Sequence, residues 1–418
     1  MKPFLQRDGW RQLCFGWLNL VLTAPSVYLW LGLPLVLRQH GWSGVELGIF
    51  QLAALPAALK FLLAAPVERG RKTSAVPSRY RWWAIALCLL FAGALLLIGR
   101  QPLLGSRGEL FALAFSAALL ATWADVPVNA LAIRLLPETQ RLRAGGIRSA
   151  ALALGAIVGG GLMLLAHTQW GWRAPFWIMA LGLLLAVATL LSLSLGQESS
   201  AVAPHTHVDK PPAMDWRGYF AQPGGARWSV LLLLCFPVIG AAWFYLKPLM
   251  LDHGFAAQQV AAIVGIGGGV VAALSGMLTP WCSRRLGPGN ALPAVTALCL
   301  LALGALLLAV QLQAAAGWLV GAAMLVALAM GSMAAVAFGL MMYFARPLRS
   351  AADYGIQASL FAIGRIAVPL LGGIALDRFG YRGMLCGLWL AMLLVLLLTL
   401  NSRRVIGAAM QGSAAAAG

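Results

Sequence analysis

Twelve long apolar runs divide this sequence, and nothing else in it restricts the fold as severely. They cover about 11–36, 44–66, 82–99, 109–134, 144–166, 174–196, 228–251, 257–281, 291–311, 317–345, 351–374 and 382–400. Bilayer hydrocarbon is about 30 Å thick, a distance that a helix crosses with roughly 20 residues. A helix also satisfies its own backbone hydrogen bonds in lipid. A membrane barrel would instead show alternating segments of about ten residues, and these runs are continuous. The expected fold is an all-α polytopic membrane protein with twelve transmembrane helices.

Composition agrees. Of 418 residues, 61% are apolar and 10% charged, and the mean hydropathy is +0.84. A soluble domain carries about 25% charged residues, so a soluble enzyme or secreted disulfide scaffold is excluded. The net charge of +18 does not mark a nucleic-acid binder, because the basic residues sit in the breaks between runs rather than in one patch. Cys14, Cys88, Cys235, Cys282, Cys299 and Cys386 form no CxxC pair and read as small hydrophobes. No metal site and no cofactor is expected. Lys2, Arg7, Asp8 and Arg11 precede a run too long for a cleavable leader.

Lys and Arg set the orientation. With the N-terminus inside, twenty of them fall in inside segments and six in outside segments. That asymmetry predicts cytoplasmic termini. A polar stretch rich in Ser and Pro divides the runs six and six. The expected parts are a six-helix bundle over 1–196, a cytoplasmic linker over 197–227, a second six-helix bundle over 228–404 and a disordered tail over 405–418.

The halves resemble each other. His40-Gly41 recurs as His253-Gly254, 213 positions later. Gly146-Ile147, Gly155 and Gly171-Trp172-Arg173 recur as Gly355-Ile356, Gly364 and Gly380-Tyr381-Arg382, 209 positions later. Repeated halves are the construction of alternating-access carriers. No GxSxG, HExxH, Walker or paired-carboxylate motif is present, so an enzyme is not expected.

Charges deep in the membrane cost at least about 2.5–3.5 kcal/mol and usually face protein or water. Asp125 is sixteen residues into the fourth run and Arg365 fourteen into the eleventh. Each reads either as a substrate or coupling residue or as a structural partner that locks helices, and the sequence leaves open whether the two meet. Asn129 shares a helical face with Asp125. Lys60, Arg148 and Lys247 either snorkel or add to a positive cavity that suits an anionic substrate. Tyr28 and Tyr245 lie in the first and seventh runs and read equally as aromatic contacts or packing. Asp353 sits where an inner gate belongs, as a partner for a basic loop residue or a first-turn acid favoured by the helix dipole. His205 and His207 fall in the linker, and His40 and His253 at outer loop edges.

The chain resembles the major facilitator superfamily. Val67-Glu68-Arg69-Gly70-Arg71-Lys72 matches the acid–base part of that superfamily's loop between helices two and three, with Glu for Asp. Within it, the run Leu31-Gly32-Leu33-Pro34, then Gly41, Ser43, Leu47-Gly48, Leu55-Pro56, Leu59-Lys60-Phe61 and Ala65-Pro66-Val67-Glu68 resembles AmpG-like permeases and the related RhtX/FptX-type siderophore permeases. Asn129-Ala130 stands where muropeptide carriers have a second acid, and Ala57 where a Trp is usual. The resemblance implies a monomeric carrier in the bacterial inner membrane. It would import a small anionic, aromatic, iron-chelating molecule of pyochelin type, with protons as coupling ion. It also implies an inner gate at Glu68 and Arg69. Anhydromuropeptide import and drug or metabolite efflux are the rival expectations.

Overall fold

The computed structural model describes residues 8–42, 50, 52–68, 76–102, 105–193, 215–287, 289–346 and 349–415. Every regular element among them is helical. α1 comprises Asp8–Val27, a π turn Tyr28–Gly32 and Leu33–Gln39. α2 is a 3-10 stretch, Leu52–Leu59, that becomes α-helical over Lys60–Glu68. α3 is Val76–Arg100 and α4 is Arg107–Leu135. α5 joins Arg141–Ile157, a π turn Val158–Leu162 and Met163–Trp170. α6 is Arg173–Ser192, and a short helix, Trp216–Ala221, ends the linker.

In the second half α7 is Gly225–Asp252. α8 joins Ala257–Val260, a π turn Ala261–Gly267 and Gly268–Leu286. α9 is Ala291–Gln311 and α10 is Ala316–Tyr343. The helical stretch Ser350–Ala415 breaks at Gly380, whose φ is +66°. It therefore holds two spans, α11 (350–379) and α12 (381–415). Ten helices among the described residues are long and apolar enough to cross a membrane. Dividing the last at Gly380 and adding α2 accounts for all twelve runs. The tail expected to be disordered is helical through Ala415; its Ala residues are the strongest helix formers.

The repeats seen in the sequence mark equivalent local structures. Gly41 and Gly254 have φ +85° and +87°, and Gly171 and Gly380 have +82° and +66°, a region only glycine enters freely. His40 Nδ1 lies 2.8 Å from Val36 O, and His253 Nδ1 lies 2.8 Å from Leu249 O. The two histidines tie off the ends of α1 and α7 in the same way.

The chain forms two compact units whose boundaries depart from the expected 196/228 division. One unit holds Met1–Pro137, Gly155–Gly218 and Ala345–Ser359; the other holds Glu138–Leu154, Tyr219–Phe344 and Leu360–Gly418. The first half of α5 thus packs with the second bundle's helices, and the first half of α11 with the first bundle's. Glycines explain why. A Cβ at Gly146 would strike Gly276 O and Pro280 on α8, and one at Gly355 would strike Ala64 on α2. Farther along, a Cβ at Gly155 would strike Thr23 on α1, and one at Gly364 would strike Leu233 O and Pro237 on α7. Bare backbone permits helix approaches that a side chain would block.

Candidate functional site

In the first unit, the interior of α4 places Asp125 at the focus of three donors. Lys60 Nζ, on the first α-helical turn of α2, lies 2.6 Å from Asp125 Oδ2. Tyr354 OH, on α11, donates to the same oxygen at 2.6 Å. Asn129 Nδ2, one turn along α4, donates to Oδ1 and to the Asp125 backbone carbonyl, each at 2.8 Å. Lys60 and Asp125 keep 16% and 15% of their side-chain surface exposed, so the pair remains reachable. Asn129 and Tyr354 are buried. The 3-10 stretch containing Pro56 ends at Leu59, immediately before Lys60; its tighter winding sets the direction in which that lysine leaves α2.

A second cluster gathers at the start of α11, and its partners also belong to the first unit. Glu68 Oε2 accepts the backbone N–H groups of Ala351 and Ala352, each at 3.0 Å. Tyr80 OH on α3 donates to both Glu68 oxygens, at 3.0 and 3.2 Å. The first N–H groups of a helix lack intrahelical acceptors and welcome negative charge, so Glu68 acts as an external cap. Arg79 donates to the carbonyls of Val67 and Glu68, which fixes the end of α2. Arg69, expected beside Glu68 in the gate, lies outside the described residues.

Asp353 is wholly buried and is met by Arg346 from its backbone N–H, Nε and Nη2 at 2.8–2.9 Å. Arg346 Nη1 also reaches Asp215 at the end of the linker, 3.0 Å away, and Arg349 lies 3.2 Å from the same carboxylate. The Gly218 N–H bond and then Arg346 hold the Asp215 carboxyl below the usual carboxylate range, and Asp353 foremost raises the Arg346 guanidinium. Trp216 packs edge-on against Phe61, with 5.0 Å between ring centres.

The remaining expected residues lie elsewhere. Tyr28 is fully buried, edge-on to Phe176 at 5.6 Å, beside the glycines of the α5 π turn. Its ring has no surface to offer a substrate in this conformation. In the second unit, Tyr245 OH donates to Pro369 O at 2.8 Å and ties α7 to α11. Arg148 is buried with its guanidinium 4.5 Å from the centre of the Phe338 ring. Lys247 and Arg365 are exposed. Arg365 lies 5.8 Å from the Phe361 ring centre, and among the described residues no acid pairs with it. The acid Asp125 pairs with Lys60.

Sequence reasoning missed Tyr354, Tyr80 and Arg346. Tyr354 adjoins Asp353 and lies three positions before Gln357, so a polar patch at the head of the eleventh run was the available signal. For Tyr80 the sequence carries no such signal. No group of three or more His, Cys, Asp or Glu among the described residues could hold a metal ion.

Comparison with known proteins places this geometry in context. The model of the Major Facilitator Superfamily matches residues 15–352. The anhydromuropeptide permease of Escherichia coli (strain K12) is 26% identical over 379 residues, covering 84% of this chain and 73% of the relative. Among solved structures, a bacterial homologue of the iron transporter ferroportin in an outward-facing state superposes with a TM-score of 0.70 at 15% identity. It covers 94% of this chain and 99% of its own. The transporter FucP in its outward conformation gives 0.70 at 15% identity, over 95% and 99% of the two chains. At such identities the likeness is one of fold.

Proposed function

Because the chain belongs to the major facilitator superfamily, we propose that it is a secondary importer of small carboxylate-bearing molecules, with a siderophore or its iron complex, of pyochelin type, as substrate. The observation that carries this is the reachable Lys60–Asp125 pair inside the membrane span, held by Tyr354 and Asn129. A lone acid here would be costly. Paired with one lysine it is tolerated; the pairing favours the ionised acid, so proton uptake there is favoured when Lys60 leaves it. Asn129 keeps the local charge balanced, because a second carboxylate at that position would leave one lysine facing two acids. Arg365, exposed and without an acid partner among the described residues, supplies a cation for the substrate's carboxylate.

The positive-inside count supports a cytoplasmic position for Glu68, Asp215 and Arg346. The start of α11, held on α2 by Glu68, is then the cytoplasmic barrier, with substrate entering from the other face. A second reading, import of anhydromuropeptides, draws support from the 26% identical relative. The Asn at 129 counts against it.

The discriminating experiment is iron-55 uptake in an iron-starved deletion strain supplied with defined iron–siderophore complexes, alongside analysis of anhydromuropeptides lost to the medium. Uptake lost with one complex, restored by the wild-type gene and not by Asp125→Asn or Arg365→Ala, is the expected result. Normal uptake of every complex together with muropeptide loss would replace the siderophore with the muropeptide reading.

A further inference from the structure

Tyr354 sits in the eleventh apolar run, is 1% exposed, and spends its hydroxyl on Asp125. The position 209 residues earlier is Gly145, where a Cβ would strike Ala335 O and Gly339 on α10. In one half of the repeat, bare backbone makes the approach; in the other a phenol makes it through a charge. The α11 segment up to Ser359 is otherwise tied to its unit by Glu68 at Ala351 and Ala352, by Phe61 N–H donating to Ser359 Oγ at 3.0 Å, and by Gly355 against Ala64. After Ser359 the helix passes into the other unit.

The donors around Asp125 share one property. Lys60 Nζ and Tyr354 OH both point hydrogens at Oδ2, and Asn129 Nδ2 points one at Oδ1. Oδ2 receives two of these donors and Oδ1 one, so a proton can enter at the remaining lone pair of Oδ1; Oδ2 is then a neutral acceptor, and its bond from Tyr354 is about half as strong. Lys60 keeps part of its surface exposed, whereas Tyr354 is almost wholly buried.

We propose that Tyr354 is a positioning residue for transport, holding the first turns of α11 against the first bundle while Asp125 is ionised and releasing them when that charge is lost. This rests on the reading of Asp125 as the coupling acid. Of the elements packed on α4, α2 contributes Lys60 and α11 contributes Tyr354. The charged groups of α1 and α3 at that end of the bundle are occupied otherwise: Arg11 donates to Leu135 O, Arg79 to the end of α2, and Arg81 lies over Trp82.

The test is amide hydrogen exchange of the 350–359 segment in the full-length protein in nanodiscs, without substrate. Wild type is compared with Asp125→Asn, Tyr354→Phe and the double variant, each first checked for monodisperse elution. Each single variant is expected to speed exchange about tenfold, the scale of one hydrogen bond to a charged group, and the double no more than either, because at α11 both act on the same Tyr354–Asp125 contact. After correction for chemical exchange, acidification should loosen the segment in wild type and leave Tyr354→Phe unchanged. A Tyr354→Phe variant that exchanges like wild type, or effects that add, would overturn the proposal. If no substrate is taken up while exchange behaves as expected, the substrate assignment falls and the role of Tyr354 stands.

Discussion

Glu68→Gln isolates the charge at the α11 cap. The two N–H groups it receives, from Ala351 and Ala352 at 3.0 Å, have no helical acceptor of their own. The Ala351 and Ala352 N–H groups and the Tyr80 hydroxyl all reach its carboxyl oxygens. Glutamine keeps one acceptor oxygen for those N–H groups but presents an amide NH2 where Tyr80 donates to the other. The loss is thus the charge-assisted part of two hydrogen bonds, about 1 kcal/mol each, with a weakened Tyr80 contact besides. A total of about 1–3 kcal/mol corresponds to a shift of about 5- to 150-fold in the released population of the α11 start.

The assay is alkylation of Ser350→Cys by a water-soluble maleimide. Ser350 is fully buried, so labelling reports release. The exposed Cys282 and Cys386 are first replaced by Ser. Glu68→Gln should speed labelling by that factor, and Glu68→Ala by more, since it leaves both N–H groups without an acceptor. Tyr80→Phe, which spares the N–H bonds, should change it less than either. Labelling of Glu68→Gln within about twofold of the parent would show that the carboxylate's charge does not hold the helix, and the capping argument would fail.

Two further outcomes follow from the packing and the linker. Asp215 has a depressed folded-state pKa, so its contribution is fully present above the ordinary carboxylate value of about 3.9 and is lost as pH falls through the lowered one; exchange protection of residues 215–221 should persist at pH 5 and disappear only in stronger acid, and loss near pH 6 would contradict the assignment. Gly159→Ala drives a Cβ into Ala24 O, whereas at Gly161 nothing lies within 4 Å; the first should lose about 1–3 kcal/mol and much of its thermal stability in detergent, and the second should stay close to wild type.

What the sequence disclosed follows from where its information is local. Run length fixes spans, and the His-Gly and Gly-aromatic-Arg repeats fix turns, because a positive φ leaves a glycine behind. Asp125 and Lys60 stood out separately as charges in apolar runs. Their pairing did not, since it depends on how α2 and α4 are rotated, and the 3-10 stretch before Lys60 changes that rotation without any change in hydropathy. Tyr354 was hidden because a tyrosine in an apolar run costs little until its hydroxyl is buried. Arg346 looked like one loop cation among many, and only the folded chain shows it shared between Asp353 and Asp215.

The repeat-related glycines carry the argument one step further. Gly146 and Gly355 bring the starts of α5 and α11 onto α8 and α2, while Gly155 and Gly364 bring their later turns onto α1 and α7. These are matching members of the two halves, so each repeat copy makes the same pair of approaches, and both helices pass from one compact unit into the other. At the start of α11, Glu68, Asp125 and the Arg346–Asp353 pair add specific polar contacts to this packing. At the start of α5 the polar ties among the described residues include Arg141 with Glu138, Tyr343 OH donating to Glu138 O and Ser149 Oγ donating to Gly331 O. The carboxylates of Glu68 and Asp125 at the start of α11 make that helix's seating depend on charge as well as on glycine packing.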